Sequence, residues 1–206
     1  MIWNIGYFLK ELEEILEERI ASILSTLLCT NQITDPYKKA QINYGIEILI
    51  VNLSKIIVIF LFSTTLFSLK ATLTAYVPYC ILRRASFGYH AKTSISCTIL
   101  SIIAFSIVPC FIANLNISAT VFQVLVLTFL LVVTLFITAP SFTKENEIKD
   151  EGQVKKLKKC SIILGIFLMS ISTVFSSDCS ILIIYGTLLA TCLTIPNEIL
   201  KRKCVK

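Results

Sequence analysis

Residues 119–138 read Ala-Thr-Val-Phe-Gln-Val-Leu-Val-Leu-Thr-Phe-Leu-Leu-Val-Val-Thr-Leu-Phe-Ile-Thr, 20 residues without one Asp, Glu, Lys or Arg. Wound as an α-helix, such a run is about 30 Å long, the thickness of a bilayer's hydrocarbon core. Comparable apolar runs lie at 46–68, 71–84, 97–113, 160–177 and 179–197. They are too many for one removable signal peptide. With 55% hydrophobic residues, 16% charged and a mean hydropathy of +0.81, a chain of 206 residues carries more apolar surface than a soluble domain of that size buries. The expected fold is all-α: a polytopic membrane helix bundle of about six transmembrane helices behind an N-terminal amphipathic helix. It is read as a single membrane domain over 1–206, with an interfacial helix in 1–34 and the bundle in 36–200.

Charge placement orients the bundle. With the N-terminus in the cytoplasm, Lys70 is the one basic residue outside and Lys55 lies within a span, so 17 of the 19 Lys and Arg fall inside. That bias is the positive-inside pattern, and it puts both termini in the cytoplasm. The longest polar loop is expected over 139–159, ending in Lys155, Lys156, Lys158 and Lys159, and the tail adds Lys201, Arg202, Lys203 and Lys206. Such runs fix topology and meet anionic lipid heads. The membrane therefore accounts for the net charge of +6, and nucleic-acid binding has no support.

Local signals refine the spans. Ile5, Phe8, Leu9, Leu12, Ile15, Leu16 and Ile20 recur with helical period, opposite an acidic face of Glu11, Glu13, Glu14, Glu17 and Glu18. This amphipathic helix is expected at the interface, or packed on the bundle or a second subunit. Asp35-Pro36 is a helix start. In the span that follows, Glu47, Asn52 and Lys55 share one side of the helix, which is expected to face the bundle interior because a polar stripe in lipid is costly. The segment 71–84 is short and holds Pro78, so it is expected to be kinked, tilted or re-entrant. Asn114, Asn116 and Ser118 mark a turn.

Chemistry concentrates in residues 83–97, Arg-Arg-Ala-Ser-Phe-Gly-Tyr-His-Ala-Lys-Thr-Ser-Ile-Ser-Cys. They hold the chain's one histidine, His90, seven residues before Cys97, with Arg83, Arg84 and Lys92 nearby. The eight cysteines include no C-x-x-C pair, so free thiols are expected. A base beside a thiol suggests a cysteine nucleophile. In one straight helix, seven residues separate two side chains by about 10.5 Å, beyond hydrogen-bond reach. A break is therefore required: Gly88 permits irregular backbone, and Thr93, Ser94 and Ser96 are candidate caps for a helix that places Cys97 in its first turn. There the helix dipole and a nearby imidazolium both favour a thiolate. Walker-type loops, zinc-binding spacings and Ser/Asp triads are absent from the sequence, so no cofactor and no metal are expected.

The stretch resembles the core motif of the accessory gene regulator B (AgrB) family, membrane cysteine endopeptidases of Gram-positive quorum sensing. In that motif two basic residues precede Gly-Gly-x-His-Ala, with a cysteine seven residues after the histidine. Here it reads Arg83-Arg84, Phe87-Gly88-Tyr89-His90-Ala91 and Cys97, with Phe87 where a glycine is usual. The amphipathic N-terminus, Tyr44-Gly45 with Glu47 and Asn52, and Ala139-Pro140-Ser141-Phe142-Thr143-Lys144 resemble further family landmarks.

By that resemblance the chain is a thiol protease acting on an AgrD-like propeptide. Cys97 attacks the carbonyl at the end of the future signal, with His90 as base and then acid. The acidic tail leaves, and the propeptide's own Cys or Ser displaces the thioester to close a thiolactone or lactone ring. Arg83, Arg84 and Lys92 hold the acidic tail; Glu47, Asn52 and Ser86 are candidates to orient His90, and backbone amides near Ser94 to Cys97 are candidate oxyanion donors. Lys55 belongs with Glu47 in the wall of the reaction cavity. The implied partners are the propeptide, membrane lipids and a second copy in a homodimer. A competing reading is a non-catalytic membrane scaffold or transporter with Glu47, Lys55 and His90 as a polar path.

Overall fold

The computed structural model describes residues 36–66, 68–88, 94–115, 117–142 and 150–196, together with Ile23. All regular elements among them are helical. The expected interfacial helix in 1–34 lies outside the described residues except for Ile23, which is helical and exposed.

Helix α1 (Pro36–Thr65) starts on the proline, whose missing N–H would have had no intrahelical partner. It stops where the Ser68 N–H reaches back to the Ser63 carbonyl at 3.0 Å and closes the turn. Helix α2 (Leu69–Ser86), over the segment expected to be kinked, tilted or re-entrant, is one continuous helical element with Pro78 inside it. Pro78 removes only one donor, and its ring packs 3.3 Å from where a Cβ on Gly186 would sit.

The next rod joins α3 (Ser94–Ile102), a π-helical turn (Ile103–Ile107) and α4 (Val108–Asn114). Pro109 gives a reason for the π turn. With Val108 N–H bonded to the Ile103 carbonyl, the same register would pair the Ala104 carbonyl with residue 109, which has no N–H. The Tyr185 phenol donates to that carbonyl instead, at 2.9 Å.

Helix α5 (Val121–Thr138) opens with a capping box between Thr120 and Gln123. Helix α6 (Glu151–Ser172) is capped by the Asp150 carboxylate, which accepts from the Gly152 N–H at 2.9 Å. This corrects the polar loop expected over 139–159: Lys155, Lys156, Lys158 and Lys159 ride on the first turns of α6. Helix α7 (Ser177–Cys192) completes six rods.

Close approach explains the packing. A Cβ on Gly186 of α7 would stand 2.0 Å from the Ala75 carbonyl oxygen of α2, so these two backbones nearly touch, as small residues allow. Leu82, Leu131, Leu135, Met169, Ile184 and Ala190 form the main core. Away from it, Ser63 shares hydroxyl hydrogen bonds with Thr72 (2.8 Å) and Ser106 (2.9 Å), all fully buried.

The segments Ser96–Asn114 and Val121–Thr138 are long and apolar enough to cross a membrane. Neither is buried as a soluble core helix would be: Phe122 is 75% exposed and Phe129 69%. Such faces require lipid or another apolar surface. The bundle has two distinct ends. Leu66, Ser68, Lys70, Asn114 and Asp178 ring an open cleft at one, and Ser86, Gly88, Ser141 and Thr194 meet at the other.

Candidate active site

The residues expected to precede the helix, up to Thr93, lie outside the described residues; Cys97 is the fourth described residue of α3 and is half-buried. Its thiol is free, as are those of Cys80, Cys110, Cys160, Cys179 and Cys192. Beside it runs a stripe of α2: Tyr76, Tyr79, Cys80 and Arg83 recur at i, i+3, i+4 and i+7 and so share one face. The Tyr79 ring meets Phe105 edge-on at 4.6 Å, and the Arg83 guanidinium lies 5.5 Å from the Tyr79 ring centroid. The Tyr79 phenol is within electrostatic range of both Arg83 and Cys97. The Arg83 cation therefore sits by the Tyr79 phenol, and Cys97 lies within electrostatic range of that phenol.

The turn after α2 is tied into the same corner. Phe87 has φ +56° and Gly88 φ +138°, both in the region glycine favours. The position where this chain departs from the glycine of the resembled motif is therefore itself left-handed. Its ring rests against Phe142, with centroids 5.1 Å apart. A Cβ on Gly88 would lie 2.9 Å from both Arg83 Nη1 and the Leu193 carbonyl oxygen. The Ser141 N–H donates to the Ser86 carbonyl at 2.9 Å, and the Ser141 hydroxyl donates to the Thr194 carbonyl at 3.0 Å.

The family model described as Accessory gene regulator B matches residues 18–195. The chain belongs to the AgrB family. It is 31% identical over 156 residues to accessory gene regulator protein B of Staphylococcus aureus strain bovine RF122 / ET3-1, covering 76% of this chain and 82% of that one. An AgrB-like protein of Clostridium acetobutylicum is 28% identical over 180 residues, 87% of this chain and 81% of its own. Accessory gene regulator protein B of Staphylococcus intermedius is 31% identical over 156 residues, with 76% and 81% covered. No solved structure matches.

Within this AgrB fold, Arg83, Ser86, Gly88 and Cys97 gather at one end of the bundle, with Arg83 half-buried, Ser86 and Gly88 buried, and Arg84 exposed on the last turn of α2. Ser94 is the first residue of α3. His90 and Lys92 lie outside the described residues, as do the side chains of Ser94 and Glu47. On α1, Asn52 is exposed and Lys55 half-buried. The polar stripe expected to face inward therefore turns inward only in part. No group of three metal-ligating side chains occurs among the described residues. Sequence reasoning passed over Tyr79 and Thr194, and met Ser141 only as part of the Ala139–Lys144 landmark, without a role. The helical spacing of Tyr76, Tyr79, Cys80 and Arg83 was a signal for the first. Thr194 is a small hydroxyl beside an apolar span and had no signal of its own.

Proposed function

We propose that this AgrB-family chain is a membrane-embedded cysteine endopeptidase that removes the C-terminal tail of an AgrD-like propeptide and lets the remainder cyclise. The bundle spans the membrane about six times, with both termini and the Cys97 end in the cytoplasm, and works as a homodimer. What carries this reading is the position of Cys97: first turn of a helix, half-buried, in a corner shared with Arg83 and the turn that leads to His90. His90, two residues after Gly88 in the sequence, is the base that this reading assigns to Cys97.

The chemistry follows from these groups. The Cys97 thiolate adds to the carbonyl preceding the tail. Backbone amides at the start of α3 stabilise the oxyanion, and the imidazolium of His90 gives its proton to the leaving amine. A thioester remains. The propeptide's own thiol or hydroxyl, losing its proton to His90, then attacks this thioester, and Cys97 leaves as thiolate. One acyl bond to sulfur or oxygen replaces another, so the ring closes without a nucleotide. Arg84 and Lys92 attract the acidic tail. The test is release of the tail from a propeptide in liposomes by the wild type, Cys97→Ala and His90→Ala, with folding checked in detergent. Both variants should lose tail release; retention of cleavage by Cys97→Ala would overturn the proposal in favour of the scaffold or transporter.

A further inference from the structure

The Ser86–Gly88 turn at the end of α2 and the rod that carries Cys97 are held differently. The rod is held by packing, through Phe105 of its π turn against Tyr76 and Tyr79. At the end of α2, Ser141, which follows α5, holds the turn: its N–H donates to the Ser86 carbonyl at 2.9 Å. Its hydroxyl then passes the load to Thr194, just beyond α7, at 3.0 Å. Thr194 is anchored in turn by hydroxyl hydrogen bonds to Thr138, the last residue of α5, and to the Thr191 carbonyl. Gly88 lies so close to the Leu193 carbonyl that a Cβ would meet it at 2.9 Å. Ser86, Ser141 and Thr194 are all at most 3% exposed. Hydroxyl and amide groups buried this completely hold one geometry, because water cannot substitute for a broken bond.

We propose that Ser141 and Thr194 form a clasp that fixes the Ser86–Gly88 turn, and that they are positioning residues for the His90–Cys97 pair. This rests on the endopeptidase reading and extends it to residues contributed by the ends of two other helices. The clasp closes only when the ends of α2, α5 and α7 are in register, so the Ser86–Gly88 turn is set by three helices. Left-handed backbone at Phe87 and Gly88 adds to the case. Such conformations persist where the surroundings over-determine them, and here the surroundings are the clasp.

The test uses the full chain in liposomes and the rate of Cys97 alkylation by iodoacetamide at neutral pH, read by mass spectrometry of the Cys97 peptide. In the otherwise wild-type chain, His90→Ala should slow alkylation about tenfold, because the imidazole no longer supports the thiolate. With Ser141→Ala in place, the same His90→Ala change should cost less than about threefold, since a displaced imidazole has little left to lose. Ser141→Thr, which keeps the hydroxyl, should restore the larger effect. Gly88→Ala, which pushes the turn off Leu193, should act as Ser141→Ala does. Ser172→Ala removes an equally buried hydroxyl bonded to the Met169 carbonyl and should leave the His90 effect intact. An undiminished His90 effect in the Ser141→Ala and Gly88→Ala backgrounds overturns the clasp alone. Absence of any His90 effect in the wild-type background overturns the endopeptidase reading beneath it.

Discussion

Tyr185 of α7 donates its phenol to the carbonyl of Ala104, 81 residues earlier in the chain, at 2.9 Å. The bond answers a vacancy that Pro109 creates in the π turn, and it fastens the rod carrying Cys97 to α7. Tyr185→Phe should therefore destabilise the bundle by about 0.5–1.5 kcal/mol. Pro109→Ala restores the missing N–H and should shrink that cost. Thermal unfolding in detergent of the two single variants and the double variant measures the coupling, and strict additivity would refute the assignment.

Gly186 and Gly152 should respond oppositely to alanine. At Gly186 the new Cβ would stand 2.0 Å from the Ala75 carbonyl, and backbone cannot be moved without parting α2 from α7. A loss of about 1–3 kcal/mol or more is expected. At Gly152, exposed in the first turn of α6, the nearest atom is an Asp150 carboxylate oxygen at 3.2 Å. Relief of glycine's backbone entropy should make that variant neutral or stabilised by up to about 1 kcal/mol. Chemical or thermal denaturation in detergent distinguishes the two.

Phe87→Gly sets two terms against each other. Releasing a non-glycine residue from φ +56° recovers about 1 kcal/mol. Losing the ring contact with Phe142 at 5.1 Å costs about 0.5–1.5 kcal/mol. Stability should change by less than about 1 kcal/mol. A large stabilisation in a thermal scan would mean that the Phe87–Phe142 contact contributes little.

The two arginines should separate kinetically. Arg84 is exposed and so should act on the substrate's acidic tail through solvent. Arg84→Ala should raise KM about fivefold or less at low salt, and the difference should fade as salt rises. Arg83 lies over Tyr79 at 5.5 Å and against Gly88, so Arg83→Lys should lower kcat more than it raises KM, because an ammonium does not reproduce the planar contact. Steady-state cleavage of a propeptide with an acidic and with a neutralised tail reads both effects.

Several of these relationships were within reach of the sequence. Residues 119–138 specify an apolar helix whatever surrounds them, since 20 uncharged residues have one low-energy form in lipid. Helix over Ser94–Ile102 was readable for a similarly local reason. His90 and Cys97 cannot cooperate along one straight helix, and the hydroxyl-rich stretch between them supplies a helix start. Where the reading failed, the deciding group lay elsewhere. The lysines after residue 154 looked like loop because Asp150 was not recognised as a cap.

Composition and local pattern therefore determined the helical class and the approximate positions of the helical rods among the described residues, both of which depend on neighbours within a few turns. Tertiary structure alone decided that Tyr79 would share a corner with Cys97, that Tyr185 would answer Ala104, and that Ser141 would hold the turn before His90 through Thr194, 53 residues away. A buried serine looks the same in sequence whether it bonds its own helix or another. Only the register of three helix ends brings one hydroxyl within 3.0 Å of one particular carbonyl.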